Sequence, residues 1–464
     1  MIFSIDRHES EKAVYCAATG HWWSFPQLCD SVAQQREILA DSTKALLFNF
    51  CRNDIDSLVA YLAAIDGGHA VALLDDNLVD EFKANLIGLY EPEFIVSRTA
   101  IPCCGYEPKS DLLWQRSQPT AAPLHPELSL LLSTSGSTGS PKFVRLTRRS
   151  VESNAASICE VLAICPTDRA ITSLPMHYSY GLSVLNTHLL AGASIVLTDA
   201  GLLTAGFWTT VRALECTSLS GVPYSYQILN RLGPDRLNIP SVQTMTQAGG
   251  KLHNDLILKF SEWMAHRSGR FFVMYGQTEA APRISTLPHD ALPAKLGSVG
   301  PPVPGGRVAI EVDGMLTTEP YQTGELVFSG PNVMMGYATC RADLASGDVL
   351  GGQLHTGDLA YLDEHGYIFM VGRSKRDAKV FGLRINLDEL ENMLRVHGPT
   401  AVVSVNDRLC IYCEYGDEES FARYRRELAA QLKVNYEAFA FERVTKLPMT
   451  STGKIDYGSL GPTA

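Results

Sequence analysis

Short apolar runs recur along this chain with amphipathic stretches between them, and that alternation limits the folds open to it. Ala45 to Phe50 reads as a strand, Ile55 to Gly67 as a helix and Ala70 to Leu74 as the next strand. Ala170 to Leu174 again reads as a strand, Leu182 to Ala191 as a helix and Ser194 to Thr198 as a strand. Strands taking turns with helices predict parallel sheets layered with helices. Past Gly297 the texture changes. Pro301-Pro302-Val303-Pro304-Gly305-Gly306 is a rigid turn region, and Arg307 to Val312, Gly324 to Ser329 and Tyr367 to Gly372 read as strands of a β-rich subdomain. A further boundary falls near Gly372-Arg373-Ser374-Lys375. Beyond it come strands at Ala401 to Val405 and Leu409 to Tyr415 and an amphipathic helix from Phe421 to Lys433. The expected fold class is α/β: a large N-terminal domain, residues 1–374, of layered α/β subdomains plus the β-rich one, then a small α+β C-terminal domain, residues 375–464.

Composition narrows the partners. A chain of 464 residues has room for more than one domain, and a net charge of −11 argues against a nucleic-acid binder, which needs clustered Lys and Arg. No apolar run is long enough for a membrane span, and Met1-Ile2-Phe3-Ser4-Ile5-Asp6-Arg7 lacks the pattern of a signal peptide. The 11 cysteines, without regular spacing, fit a reducing cytoplasm. One C-x-x-C pair, Cys410 and Cys413, lies in a strand-like stretch without a second pair, so zinc or redox chemistry is not expected.

Polar clusters then follow apolar runs. Leu128 to Leu132 reads as a short buried strand, and Ser133-Thr134-Ser135-Gly136-Ser137-Thr138-Gly139-Ser140-Pro141-Lys142 comes directly after it. Hydroxyls, glycines and a lysine suit a phosphate cradle, although the same composition suits a solvated loop. It is not a Walker loop: Pro141 stands where that motif needs its second glycine, and Phe143 follows the lysine. Tyr275-Gly276-Gln277-Thr278-Glu279 follows the run Phe271 to Met274, at the strand end where α/β sheets build ligand sites. Glu279 suits Mg²⁺ and Thr278 a phosphate, although an ordinary turn explains the segment better when it is taken alone. His355-Thr356-Gly357-Asp358-Leu359 presents a carboxylate fit for a ribose diol, or for capping a turn. Gly372 to Asn386 is basic and broken by glycines, which fits a hinge, an anion-facing loop or a solvated linker. Lys454 sits in Thr450-Ser451-Thr452-Gly453-Lys454-Ile455-Asp456, a turn near the C-terminus.

The order of these pieces, with Ala248-Gly249-Gly250 and Gly324-Glu325-Leu326 between them, resembles the adenylate-forming superfamily of acyl- and aryl-CoA synthetases, amino-acid adenylation domains and luciferases. The resemblance covers nearly the whole chain. It implies acid activation by ATP to acyl-AMP with loss of pyrophosphate, then transfer to a thiol, with ATP and Mg²⁺ as cofactors. Thr134, Ser135, Gly136, Ser137, Thr138, Gly139 and Lys142 would cover the β- and γ-phosphates. Thr278 would contact the α-phosphate, Glu279 would hold Mg²⁺, and Gly249, Tyr275 and Gly276 would line the nucleotide. Asp358 would hold the ribose hydroxyls with help from Arg373. Lys454 would be the catalytic cation at the α-phosphate. The resemblance also implies that the C-terminal domain is mobile, turning at Lys375 to withdraw Lys454 and bring Lys379 and Gly382 towards the thiol.

The chain departs from its relatives at the aromatic segment. Pro175-Met176-His177-Tyr178-Ser179-Tyr180-Gly181 carries its histidine one place early, which leaves His177 without a carried-over role. Amino-acid-adenylating relatives place an aspartate where this chain has Ser179, and a buried ammonium needs a counter-charge. The expected substrate is therefore a carboxylic acid without an α-amino group, in a pocket lined by Tyr178, Ser179, Tyr180, Gly249 and Met274. The acceptor that the resemblance implies is coenzyme A or the phosphopantetheine of a separate acyl carrier protein. Two other classes share these features: a nucleotide-binding protein without ligase activity, and a luciferase-like oxygenase.

Overall fold

Leu46–Cys51 is buried at every position and Ala70–Asp75 at all but its last, as strands covered on both faces must be. These strands belong to a computed structural model that describes the chain except residues 11, 41–43, 102, 119–121, 134–141, 374–376, 381–382, 406–407, 433–434, 451–453 and 461–464. The expected phosphate loop from Thr134 to Gly139, the hinge Lys375 and Gly382 lie outside the described residues. Two compact units emerge. One holds most of the chain up to Arg307 together with Phe328–Leu354; the other holds Val308–Val327 and the chain from His355 onward.

The first unit is built on two sheets. In one, Leu46–Cys51 pairs in parallel with Ala70–Asp75 and with Phe94–Val96, and Ala70–Asp75 pairs in parallel with Leu128–Ser133. In the other, Ser218–Gly221, Thr244–Gln247 and Arg270–Gly276 run parallel, and Arg283–Leu287 closes that edge antiparallel. The helix Ile55–Asp66 lies on the first sheet, started by Asp54, whose carboxylate accepts from the Ser57 N–H at 2.9 Å. The helix Ser179–Leu190 lies on the second, and the Tyr61 hydroxyl donates to Asn186 Oδ1 at 3.1 Å, tying the two layers. This helix starts three residues before the expected Leu182. Ser179, Tyr180 and Gly181 show no helical amphipathic period because all three are buried. The strand expected at Ala170 to Leu174 is Arg169–Ile171.

The second unit holds most of a five-stranded sheet, which includes Arg307–Val312, Gly324–Ser329, Gln353–Leu362 and Ile368–Arg373. The hairpin Asp377–Val380 with Leu383–Asn386 follows. A three-stranded sheet, Thr400–Val405, Arg408–Cys413 and Phe439–Arg443, then packs with the helices Leu387–Leu394 and Glu418–Leu432 around Val402, Ile411, Phe421 and Leu428. Cys410 and Cys413 lie on the middle strand of this sheet, both as free thiols.

Candidate active site

Met274 and Tyr275 come at the C-terminal end of strand Arg270–Gly276, and the chain then turns through the short helix Thr278–Ala280. Gly276 is required there. A Cβ at this position would overlap the carbonyl oxygen of Pro282, so the strand end approaches the returning chain too closely for any side chain. Two buried asparagines fix the return. Asn154 Nδ2 donates to the Arg283 carbonyl at 3.0 Å and Asn154 Oδ1 accepts from its N–H at 3.1 Å. Asn332 Nδ2 donates to the carbonyls of Ala280 and Arg283 at 2.6 and 2.9 Å, and the Met334 N–H donates to the Glu279 carbonyl at 2.9 Å. Thr278 and Glu279 are thus held half-buried on a backbone pinned from both sides.

Around this platform the first unit gathers several of the expected residues. Ser179 Oγ lies 3.2 Å from Thr278 Oγ1. Tyr337 donates from its hydroxyl to Glu279 Oε1 at 2.7 Å, and Lys142 Nζ sits 3.5 Å above the Tyr337 ring. A lysine, an aromatic ring and a carboxylate therefore stand in a row, the lysine being the last residue of the expected phosphate loop. Burial, and then the adjacent Glu279 charge and hydrogen bond, push the Tyr337 hydroxyl pKa up, so it remains a donor.

Beside Thr278 lies an apolar cluster. Tyr180, Val222, Ala248, Phe272 and Met274 are buried together, with Tyr178 packed against them. Tyr178 and Tyr180 meet edge to face at 6.3 Å. Gly249 adopts φ +82°, and a Cβ on it would lie 2.5 Å from the Tyr178 hydroxyl, so the tyrosine tip fills the space that glycine leaves. Gln247 Nε2 donates to the Gly250 carbonyl at 2.7 Å and shapes this turn. The structure thus brings Tyr178, Tyr180, Gly249 and Met274 to one place, with Ser179 facing Thr278.

His177 stands apart from that cluster. Its ring nitrogens are buried without a hydrogen-bond partner among the described residues, and Nε2 is 3.9 Å from Asp75 Oδ2. Burial lowers its pKa against the opposing pull of Asp75, which keeps the imidazole neutral.

In the second unit, Asp358 is buried within the strand Gln353–Leu362 rather than on a turn, and it pairs in register with Arg373 of the neighbouring strand. Its approach is fixed by Thr356 Oγ1, which donates to the Leu326 carbonyl at 2.7 Å and accepts from the Asp358 N–H at 3.1 Å. Glu325 Oε1 accepts from the Gly357 N–H at 2.8 Å. Lys379 belongs to the hairpin strand Asp377–Val380. Lys454 is half-buried beside a bridge between Met449 and Ile455. Its carbonyl accepts from the Thr450 N–H at 2.7 Å, and its own N–H donates to Thr450 Oγ1 at 3.2 Å. Lys454 is anchored by the Ile455 and Tyr457 that follow it, which pack with Ala401, Tyr412, Leu447 and Leu460, and by the Tyr457 hydroxyl, which donates to Glu391 Oε2 at 2.9 Å.

Sequence reading passed over Tyr337, Arg283, Asn154 and Asn332. The carboxylate–ring contact joins residues 58 positions apart, and no local pattern marks such a pair.

A family model described as AMP-binding enzyme matches residues 4–338. Among curated proteins, the chain is 29% identical over 348 residues to a probable CoA ligase, CCL9, of Humulus lupulus, covering 71% of this chain and 65% of that protein. It is 30% identical over 343 residues to 2-succinylbenzoate–CoA ligase of Bacillus cereus (71% and 68%) and 30% identical over 348 residues to oxalate–CoA ligase of Arabidopsis thaliana (70% and 66%). The matches thus span 65%, 68% and 66% of those relatives' own length. Among solved structures, O-succinylbenzoate coenzyme A synthetase from Bacillus subtilis in complex with AMP has the same fold, with a TM-score of 0.78, 22% identity, and 99% and 98% of the two chains covered. ATP-bound MatB from Rhodopseudomonas palustris gives a TM-score of 0.77 at 20% identity, over 99% and 98%.

Proposed function

The chain belongs to the AMP-binding enzyme family, and from that premise we propose that it is an AMP-forming acid–thiol ligase. One observation carries the proposal: Ser179, between the packed rings of Tyr178 and Tyr180, meets Thr278 on the segment that presents Glu279, with Lys142 and Tyr337 in line. In the first half-reaction the acid's carboxylate oxygen attacks the α-phosphorus of ATP. The new P–O bond makes a mixed anhydride, and the bond to the β-phosphate oxygen breaks to release pyrophosphate. In the second, a thiolate attacks the acyl carbon and AMP leaves with the anhydride oxygen.

In this scheme Thr278 donates to the α-phosphate, Lys142 and the residues from Thr134 to Gly139 face the outer phosphates, and Gly249, Tyr275 and Gly276 border the nucleotide. Asp358 takes the ribose hydroxyls, Arg373 assists it, and Lys454 offsets the charge that builds at the α-phosphate. Glu279 fits Mg²⁺, an ion held by one or two carboxylates plus substrate phosphates, and the ion would supply charge neutralisation there. The small domain, residues 375–464, pivots at Lys375 between half-reactions and exchanges Lys454 for Lys379 and Gly382. The free thiols of the described cysteines fit a cytoplasmic setting.

Ser179 supports an acid without an α-amino group. Its hydroxyl faces Thr278 and offers no negative charge to an ammonium. The CoA-ligase names of the relatives favour coenzyme A over a carrier protein as acceptor. A panel of acids in ATP–pyrophosphate exchange tests this assignment: aryl and acyl acids are expected to exchange and free α-amino acids are not. Exchange with amino acids alone would overturn the role given to Ser179. Thioester analysis with coenzyme A and with a phosphopantetheinylated carrier then assigns the acceptor, and coenzyme A is the expected one.

Gly249 offers a test of the pocket itself. Gly249→Ala forces a methyl against the Tyr178 hydroxyl at a left-handed φ. The KM for the acid is expected to rise about tenfold with a smaller effect on the KM for ATP. An unchanged acid KM would move the pocket elsewhere.

A further inference from the structure

Among the described residues three arginines are buried, and two of them are compensated. Arg341 Nη2 donates to Glu93 Oε1 at 2.7 Å, and Arg145 donates to the backbone carbonyls of Met335, Tyr337, Ser346 and Gly347. Arg283 is different. It is 2% exposed, and among the described residues its Nε–H has no hydrogen-bond partner and no carboxylate pairs with it. Its guanidinium carbon sits 5.0 Å from the centre of the neutral Tyr180 ring, whose hydroxyl is committed to Thr246. A buried cation without a counter-charge is costly, and an anion reaching it would offset that cost.

The surroundings say where that anion comes from. Arg283 lines a cavity of about 20 Å³ together with Arg270, Tyr180, Met274, Ser220 and Thr246. Tyr180 and Met274, two of the residues expected to hold the acid, thus line this cavity. Asp168 borders it too, but its oxygens accept from the Cys165 N–H at 2.9 Å and the Thr217 hydroxyl at 3.0 Å. His188 is engaged with the Val184 carbonyl and Ser218. The volume suits one small group rather than a second ring. The backbone of Arg283 is pinned by Asn154 and Asn332, so the guanidinium is placed before any ligand binds.

We propose that Arg283 is a specificity-determining residue that receives a second carboxylate on the tail of the substrate acid, making this a ligase for diacids activated at one end. The inference rests on the acid–thiol ligase proposed above. Only the carboxyl at Thr278 reacts; the other is held as an ion pair against Arg283, which takes no part in the chemistry.

The test is pyrophosphate exchange with matched acids, hexanoate against adipate and benzoate against isophthalate. The wild-type enzyme is expected to favour a diacid over its matched monoacid at least about tenfold in kcat/KM. Arg283→Met is expected to lower that diacid-to-monoacid ratio on the order of a hundredfold, because the second carboxylate is left buried and unpaired. Arg283→Lys, which keeps the charge without the planar fork, is expected to fall between the two. A wild-type preference for monoacids, or a ratio unmoved in Arg283→Met, overturns the proposal. If Arg283→Met fails to fold, the wild-type ratio and Arg283→Lys decide it. Exchange with monoacids only would sink this inference and leave the ligase standing, whereas exchange with no acid would sink both.

Discussion

Lys454→Ala is expected to lower acid-dependent pyrophosphate exchange by about 10²–10³-fold, the usual loss when one preorganised charge at a developing oxyanion is removed. The lysine is held by three hydrogen bonds with Thr450 and is followed by the packed side chains of Ile455 and Tyr457. Trimming its side chain leaves those anchors in place, so the fold should survive, which a melting curve checks. The second half-reaction separates a catalytic role from a general one. If the small domain withdraws Lys454 before the thiol attacks, thioester formation from chemically prepared acyl-AMP should stay within a few-fold of wild type. Equal losses in both half-reactions would contradict domain alternation, and exchange at wild-type rate would remove Lys454 from the mechanism.

Glu279→Gln is the second large effect, expected on the order of 10²-fold in exchange. Glutamine keeps the length and an acceptor for the Tyr337 hydroxyl, and the Glu279 carbonyl still receives the Met334 N–H. What goes is the negative charge across the Tyr337 ring from Lys142, where the proposed mechanism puts the outer phosphates. The Mg²⁺ concentration for half-maximal exchange should rise, with little change in melting temperature. Full exchange at an unaltered Mg²⁺ requirement would assign the metal carboxylate to another residue.

Local pattern reaches far in this chain where one structural rule dominates. Leu46–Cys51 and Ala70–Asp75 are continuous apolar runs because both faces are covered, and Arg307–Val312 and Gly324–Ser329 fall where the sequence places strands. It fails where burial is two-sided in a helix. Ser179, Tyr180 and Gly181 look like loop residues, yet they begin the helix Ser179–Leu190, packed against partners far along the chain. At Asp358 it succeeds in part: Gly357 takes the left-handed φ of +72° that a turn glycine suggests, while Asp358 itself enters the ladder with Ile368–Arg373. The candidate site divides the same way. Residues in motifs, such as Thr278 and Glu279, were legible from their order. Tyr337, Arg283 and the asparagines that pin the segment owe their places to tertiary contacts, which leave no trace in spacing.

The most direct measurement is the exchange of labelled pyrophosphate into ATP with no thiol present. The ligase mechanism predicts exchange that requires both Mg²⁺ and a carboxylic acid, with acyl-AMP recoverable from the enzyme. Absence of exchange across a broad panel of acids, or turnover of ATP to ADP and phosphate, would contradict it.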